Sequence, residues 1–287
     1  MSIGHGGQAQ AAVEPGRVQR AMDPIVDQIA GRRARQRLRF RLTVFLTWFV
    51  LVGLLVGGLW AAGKIDIDFL REWQAFILGG ISLTLVISAS SIFFACILAI
   101  LGALGRLSSN AVIYGIASFY VSLVRGTPLI VQILFIFLAL PQAGIVLPPV
   151  PTAIVALSLN YGSYMTEVFR SGIEAVPHGQ VEAAQSLGMS PRTTFRRIVV
   201  PQAFRIVTPA IGNDFVAMIK DSSLAYVVGV QDVLWRAQAA GRPTFQSMQT
   251  LLVAAFVYWV LTILFSLFQG RLERRMATGD RNQSKRP

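Results

Sequence analysis

The chain has 287 residues, 54% of them hydrophobic and only 14% charged, against about 25% charged in soluble domains. The net charge of +12 and the decad RRARQRLRFR (32–41) would on their own permit a nucleic-acid binder. The recurring uncharged runs, each near the roughly 20 residues a bilayer crossing needs, exclude that reading and specify an all-α, polytopic helical membrane protein.

Residues 1–31, rich in Gly, Ala and Gln, read as a disordered tail, and with the basic decad they make a polar segment through residue 41. A polar stretch of this length before the first apolar run argues against a secretory signal. Residues 42–63 form the first span. Its end, GLWAAGKI (58–65), matches the start of a phosphate-binding loop, G-x-x-x-x-G-K. Ile65 stands where Ser or Thr would hold magnesium, and an apolar span takes the place of the preceding strand, so no nucleotide site is expected. Residues 73–105 form the second span, with Gly79 and Gly80 near its start. It holds Cys96, the single cysteine, so no intrachain disulfide is expected.

Residues 108–124 carry a small-residue face (Ala111, Gly115, Ser118, Ser122) and an apolar one (Val112, Ile116, Phe119, Leu123). This predicts an amphipathic helix lying at the cytoplasmic surface or packed closely on a neighbour. Arg125-Gly126-Thr127-Pro128 then redirects the chain, because proline disfavours helix at the residue before it. Pro141, Pro148, Pro149 and Pro151 divide the following apolar stretch into spans at about 127–140 and 151–171. In the latter, Asn160, Tyr164, Glu167 and Ser171 recur on one helix face with Ser163 beside them. That face must turn from lipid toward protein or water, and an intramembrane carboxylate is a functional hypothesis by default. Asn160, Ser163, Tyr164 and Glu167 are therefore candidate substrate-pathway residues, the alternative being a packing face with a satisfied polar strip.

A more polar span covers about 199–219. Gln202, Arg205, Asn213 and Asp214 make it unfit to face lipid, and Pro201 and Pro209 bend it, so it belongs in a bundle interior lining a cavity. Asn213 and Asp214 join the pathway candidates. A last span covers about 247–269, followed by a basic tail, 271–287. With six spans and the N-terminus inside, 19 of the 26 Lys and Arg residues fall on the cytoplasmic side and five on the other. The positive-inside rule then puts both termini in the cytoplasm. His5 and His178 are too few and too isolated for a metal site. No nucleophile–base or paired-carboxylate arrangement suggests catalysis, and no cofactor is expected.

Between these spans lies QVEAAQSLGMSPRTTFRRIVVPQA (180–203). Pro177 opens it; residues 179–187 predict a short helix with Gly188 as its stop. Ser190 caps a second helix with Pro191 at its first position. Glu182, read as lying in the first turn, suits the helix dipole. Ala183 and Ala184 keep the surface low enough for another protein to approach, and Leu187 and Met189 offer apolar contacts beside the break.

Glu182-Ala183-Ala184, then Gly188, Ile198 and Pro201, resembles the EAA loop (177–201) of ABC importer permeases, with Val200 where that family usually has Leu. GGISLTLVIS (79–88), RGTPLIVQ (125–132), YMTEVFRSGIEAVPHGQ (164–180) and KDSSLAYVVGV (220–230) look like the polar amino acid branch of the same family. The resemblance covers about 76–270 and leaves 42–63 as an extra N-terminal span. It implies a type I importer permease fold, a five-span core plus that extra span, in the bacterial inner membrane. It further implies a second permease subunit, identical or related, a pair of cytosolic ATP-binding subunits and an extracytoplasmic solute-binding protein that delivers a polar amino acid. Glu182, Ala183, Ala184, Leu187, Gly188 and Met189 would couple to the ATPase. ATP hydrolysis would reside in that separate subunit. The alternative readings are a permease for another small solute and a secondary transporter; the latter would want an ion-coupling site and no docking loop.

Overall fold

The computed structural model describes the backbone of residues 15–283 and the side chains of 36–275, positions 37 and 41 aside. The described backbone is helical between short connections, with no strand among the described residues. The chain divides into two compact units, one ending at Ile65 and one beginning at Asp66.

The first unit is a single helix, α1 (Pro15–Ala61). The disordered tail expected through residue 31 is thus corrected from Pro15 onward; residues 1–14 lie outside the described residues. Within α1, Leu38–Ala61 is long and apolar enough to cross a membrane, and its large side chains, such as Phe45, Phe49 and Leu54, are exposed. The helix ends in a left-handed turn. Gly63 has φ +66°, its N–H donates to the Trp60 carbonyl, and Lys64 N–H donates to the Leu59 carbonyl. The Gly-Lys pair that mimics a phosphate loop is therefore a helix stop, in which glycine relieves the Cβ clash of that conformation.

In the second unit, Asp66 caps α2 (Ile67–Leu78), its carboxylate accepting from the N–H groups of Asp68 and Phe69. Gly79 and Gly80 separate α2 from α3 (Ile81–Arg106). The central pairing is α3 against α6 (Pro149–Glu174). Ile87, Ala95 and Ala99 of α3 meet Ala153, Ala156, Leu157 and Met165 of α6, all fully buried. Small side chains bring the two backbones close, as membrane helices require when lipid supplies no hydrophobic drive. At Gly102 a Cβ would fall 2.3 Å from Thr166 Oγ1. Ser158 Oγ donates across the pair to the Ser91 carbonyl at 3.2 Å.

Asn110 caps α4 (Ala111–Arg125) by accepting from Val112 and Ile113 N–H. Of the two positions expected for this segment, close packing on a neighbour is the one the structure shows. It packs on α3 and α6 through Ala117 and Val121, and Tyr120 donates its hydroxyl to the Leu159 carbonyl, midway along α6. Its apolar face, Val112, Ile116, Phe119 and Leu123, stays exposed. After a 104° bend the chain continues through Leu129–Ala143, made of α5 (Leu129–Leu134), a π turn and a 3-10 turn, and the bent pair together meets the test for one span. The expected span 127–140 corresponds to the second limb of this pair. Sequence periodicity showed an amphipathic helix over the first limb; its contact with mid-α6 is a tertiary fact.

By length and composition, three stretches pass as spans, Leu38–Ala61, Ile67–Arg106 and Ser247–Arg275, or four with the bent pair. Helices α6 and α9 (Val200–Asp221), with 26 and 22 residues, are long enough but more polar. In α6 most of that polarity is turned inward: Thr152, Ser158, Asn160, Ser163 and Thr166 are buried. Helix α7 (His178–Ser186) and the short α8 (Pro191–Thr194) connect α6 to α9 at one end of the bundle, a π turn joining α8 to α9, and α9 runs unbroken through Pro209. At the opposite end a 3-10 turn (Ser222–Val228) leads to α10 (Val233–Gly241) and then α11 (Ser247–Gln283).

Asp232, fully buried, caps α10 there. It accepts from Trp235 N–H and from the Tyr258 hydroxyl of α11, both at 2.8 Å. Burial pushes its carboxyl up to about 6, against the pull of those donors.

Candidate functional site

The segment after α6 is packed onto the base of α9. Val176, Val199 and Ala203 form a small buried cluster with Ile173, Val181 and Phe195 around it, and Ala184 is buried as well. Gln202 of α9 donates through Nε2 to Gln180 Oε1 and to the Ile198 carbonyl, tying α7 to the base of α9. Helix α7 ends at Ser186, and Gly188 takes φ +78°. Gly188 N–H donates to the Gln185 carbonyl and Met189 N–H to that of Ala184, which satisfies the last carbonyls of the helix. No atom lies within 4 Å of a Cβ built at Gly188, so the backbone angle alone calls for glycine. Ser190 then caps α8, with Pro191 first in the helix.

Glu182, Ala183, Leu187 and Gly188 point outward, Leu187 at 84% exposure, while Met189 is half-buried and Ala184, expected on the same surface, is corrected to a buried packing residue. Glu182 is the fifth residue of α7 and not in its first turn, so the favourable dipole placement expected for it is corrected.

The polar residues of α6 meet separate partners. Asn160 Nδ2 donates to Gln132 Oε1 at 3.4 Å. Ser163 is fully buried with its hydroxyl on the Asn160 carbonyl, so it lines no open route in this structure. The Arg125 guanidinium lies 4.9 Å over the Tyr164 ring. Glu167 is held from both sides, by Arg106 of α3 at 3.3 Å and Arg170 at 2.9 Å, and Arg170 also pairs with Glu174. Arg106 in turn donates to Tyr114 and Ser118 of α4. This ion-pair chain stitches α3, α4 and α6 at the α7 end of the bundle.

On α9, Asn213 is exposed and accepts from Gln269 of α11 at 2.9 Å. Asp214 is half-buried and has no hydrogen bond or ion pair to a described residue.

Sequence reasoning missed two positions. Gln132 bridges the helix break: its Nε2 lies 2.8 Å from the Val124 carbonyl, 3.1 Å from that of Thr127 and 2.9 Å from Thr127 Oγ1. It thereby satisfies carbonyls that Gly126, Thr127 and Pro128 release from α4. Asp221, at the end of α9, accepts the Tyr161 hydroxyl at 2.7 Å. A polar residue inside an apolar run was the available signal at Gln132, and an acid just before a Ser-Ser pair at Asp221.

Comparison with known proteins agrees with this architecture. Residues 91–278 match the family described as binding-protein-dependent transport system inner membrane component. The L-cystine transport system permease protein TcyB of Bacillus subtilis (strain 168) is 40% identical over 207 residues, covering 72% of this chain and 88% of that protein. The arginine transport system permease protein ArtQ of the same organism is 36% identical over 206 residues, covering 71% and 94%. Among solved structures, an amino acid ABC transporter crystallised with histidines superposes with a TM-score of 0.70 at 33% identity, covering 74% of this chain and 99% of that one.

Proposed function

The chain belongs to the family of binding-protein-dependent transport system inner membrane components, and from that membership we propose that it is the membrane-crossing subunit of an ATP-driven importer of polar amino acids. As a permease it is not itself an enzyme; ATP is hydrolysed by a separate subunit. The amino acid assignment is supported by relatives named for L-cystine and arginine transport. The six-crossing topology with both termini in the cytoplasm rests on the charge distribution. It makes the α7 end cytoplasmic and the α10 end extracytoplasmic, with Arg106, Arg170 and Glu174 at the inner boundary.

The observation that carries the mechanism is the packing and hydrogen bonding that join the α7 unit to α9 and α6. Its outward residues Glu182, Ala183, Leu187 and Gly188, with Met189 beside them, form a low surface on a helix that is capped at its end and tied to α9 by Gln202. Force applied to α7 by a closing pair of ATP-binding subunits is therefore transmitted to α9 and, through Val176 and Ile173, to α6. The bent α4–α5 span supplies the hinge, and a second permease subunit completes the path. Along it, Asn160 and Tyr164 on α6 and Asn213 and Asp214 on α9 are the polar groups that a zwitterionic substrate would meet, with Glu167 at the cytoplasmic exit. A discontinuous span beside such groups is the arrangement in which irregular backbone is tolerated at membrane depth.

The test is reconstitution of the chain with its ATP-binding and solute-binding partners in liposomes, with uptake of a labelled amino acid panel measured beside ATP hydrolysis. Uptake driven by ATP and dependent on the binding protein supports the reading. Uptake that follows an ion gradient without ATP would sink it in favour of a secondary transporter.

A further inference from the structure

Helix α1 carries a charge cluster that the transport cycle does not use. Arg32, Arg33, Arg35, Arg37, Arg39 and Arg41 fall within ten residues, and no acidic residue lies between Asp27 and Asp66. Orientation does not account for them. Without these six, 13 cytoplasmic cations would still face five on the other side, and the charge rule needs only a difference. The backbone fixes their position. Helix α1 runs without a break from Pro15 to Ala61, so the arginines stand on the same rod as the span Leu38–Ala61.

Helical rise sets the height of each one. Counted down the axis from Leu42, where the uncharged run begins, Arg41, Arg39 and Arg37 lie within about 8 Å and Arg32 at about 15 Å. The headgroup layer on each side of the hydrocarbon is roughly 5–7 Å thick. Three arginines therefore stand in that layer or at its edge. The other three lie within about 8 Å of it, one Debye length in physiological salt. Arg39 is exposed, and so are the apolar side chains of Leu38, Phe40 and Leu42 beside it. A guanidinium at this height meets phosphates, to which it can donate two parallel hydrogen bonds.

We propose that residues 32–41 are a binding segment for anionic phospholipids, with several headgroup phosphates shared among the six guanidinium groups. Leu38, Phe40 and Leu42 enter the acyl region beside them. Two observations select lipid as the occupant. The unbroken helix holds the cations at the depth where headgroup phosphates are the prevailing anions. A second copy of α1 would bring the same cations with no acid to balance them, so two such segments repel. The proposal rests on 42–63 crossing the bilayer; the topology reading decides only which leaflet supplies the lipid.

The experiment uses the full chain with Cys96 replaced and a donor dye on Ala30→Cys, in vesicles of one part phosphatidylglycerol to three of phosphatidylcholine. Energy transfer is read to a trace of acceptor-labelled phosphatidylglycerol and, separately, acceptor-labelled phosphatidylcholine. The parent should favour phosphatidylglycerol about fivefold or more, and added salt should weaken the preference. Glutamine at 37, 39 and 41 together should bring the ratio close to one, and glutamine at 32, 33 and 35 should lower it less. Lysine at all six should keep most of it. Equal transfer to both lipids in the parent would overturn the proposal, as would a parent-like ratio in both glutamine chains. A short RNA that displaces the labelled phosphatidylglycerol at physiological salt would overturn it in favour of a nucleic-acid partner. Labelling of the N-terminus from outside the cell would move the lipid to the other leaflet and leave the preference standing, so the two readings fail separately.

Discussion

Gly188 and Glu182 divide the two demands on the α7 segment, one on backbone and one on surface. Valine at 188 must hold φ near +78° at a cost of roughly 1–2 kcal/mol, although open space surrounds it. Gly188→Val is therefore expected to leave the chain inserted but to distort the turn, so that ATP hydrolysis continues while uptake per ATP falls severalfold. Glu182→Lys, in the middle of an exposed helix, should not disturb folding and should impair only docking. Parent-like coupling ratios in both variants would remove this segment from the coupling role. Among the pathway candidates, Asp214 and Glu167 should differ. Both Glu167 oxygens are engaged by arginines, so Glu167→Gln should lower uptake of all amino acids alike. Asp214 has no such partner, and Asp214→Asn should shift preference away from cationic amino acids. Competition uptake with arginine and glutamate distinguishes the two patterns.

Helix termini, more than helix interiors, hold the functional geometry together. The break between α4 and α5 releases carbonyls that Gln132 recovers. Leucine at 132 would take that donor from the Thr127 carbonyl, at about 1–3 kcal/mol, and Gln132→Leu should lower the apparent melting temperature of the purified subunit in detergent. At the other end, the Asp232 cap of α10 makes stability depend on pH. Its folded carboxyl sits at about 6 against an ordinary 3.8, so the folded chain holds its proton more tightly than the unfolded chain. Stability is then lost as pH rises from about 4 to about 6 and is flat above. Melting curves taken across that window should show the decline, and Asp232→Asn should flatten it while still accepting the Trp235 N–H.

For the molecule as a whole, the balance of cations between the two ends predicts both termini in the cytoplasm. Single cysteines introduced at positions 10 and 283, in a chain whose own Cys96 is replaced, should not react with impermeant maleimide in intact cells and should react after permeabilisation. Labelling from outside at either position would reverse the assignment of the α7 and α10 ends, and with it the sites expected to meet the ATP-binding and solute-binding partners.

Local chemistry was readable from residue order. The stop at Gly188, the Ser190-Pro191 start and the apolar runs of α3 and α11 each depend on neighbours within a turn or two of helix, and they lie where the sequence implies. The α7 boundaries and the placing of Glu182 shifted by a residue or more, because helix ends are set by competing hydrogen bonds. Positions 15–41 became helix where composition suggested a tail. Tertiary structure alone decided that α3 and α6 are the neighbours on which α4 packs, since an amphipathic face does not say whether lipid, water or another helix will cover it. It also decided that Glu167 would be clasped by Arg106, a residue 61 positions earlier in the chain, and that Gln132 would mend a broken helix. Pairings of that kind are fixed only when distant segments meet, at an angle that no local pattern encodes.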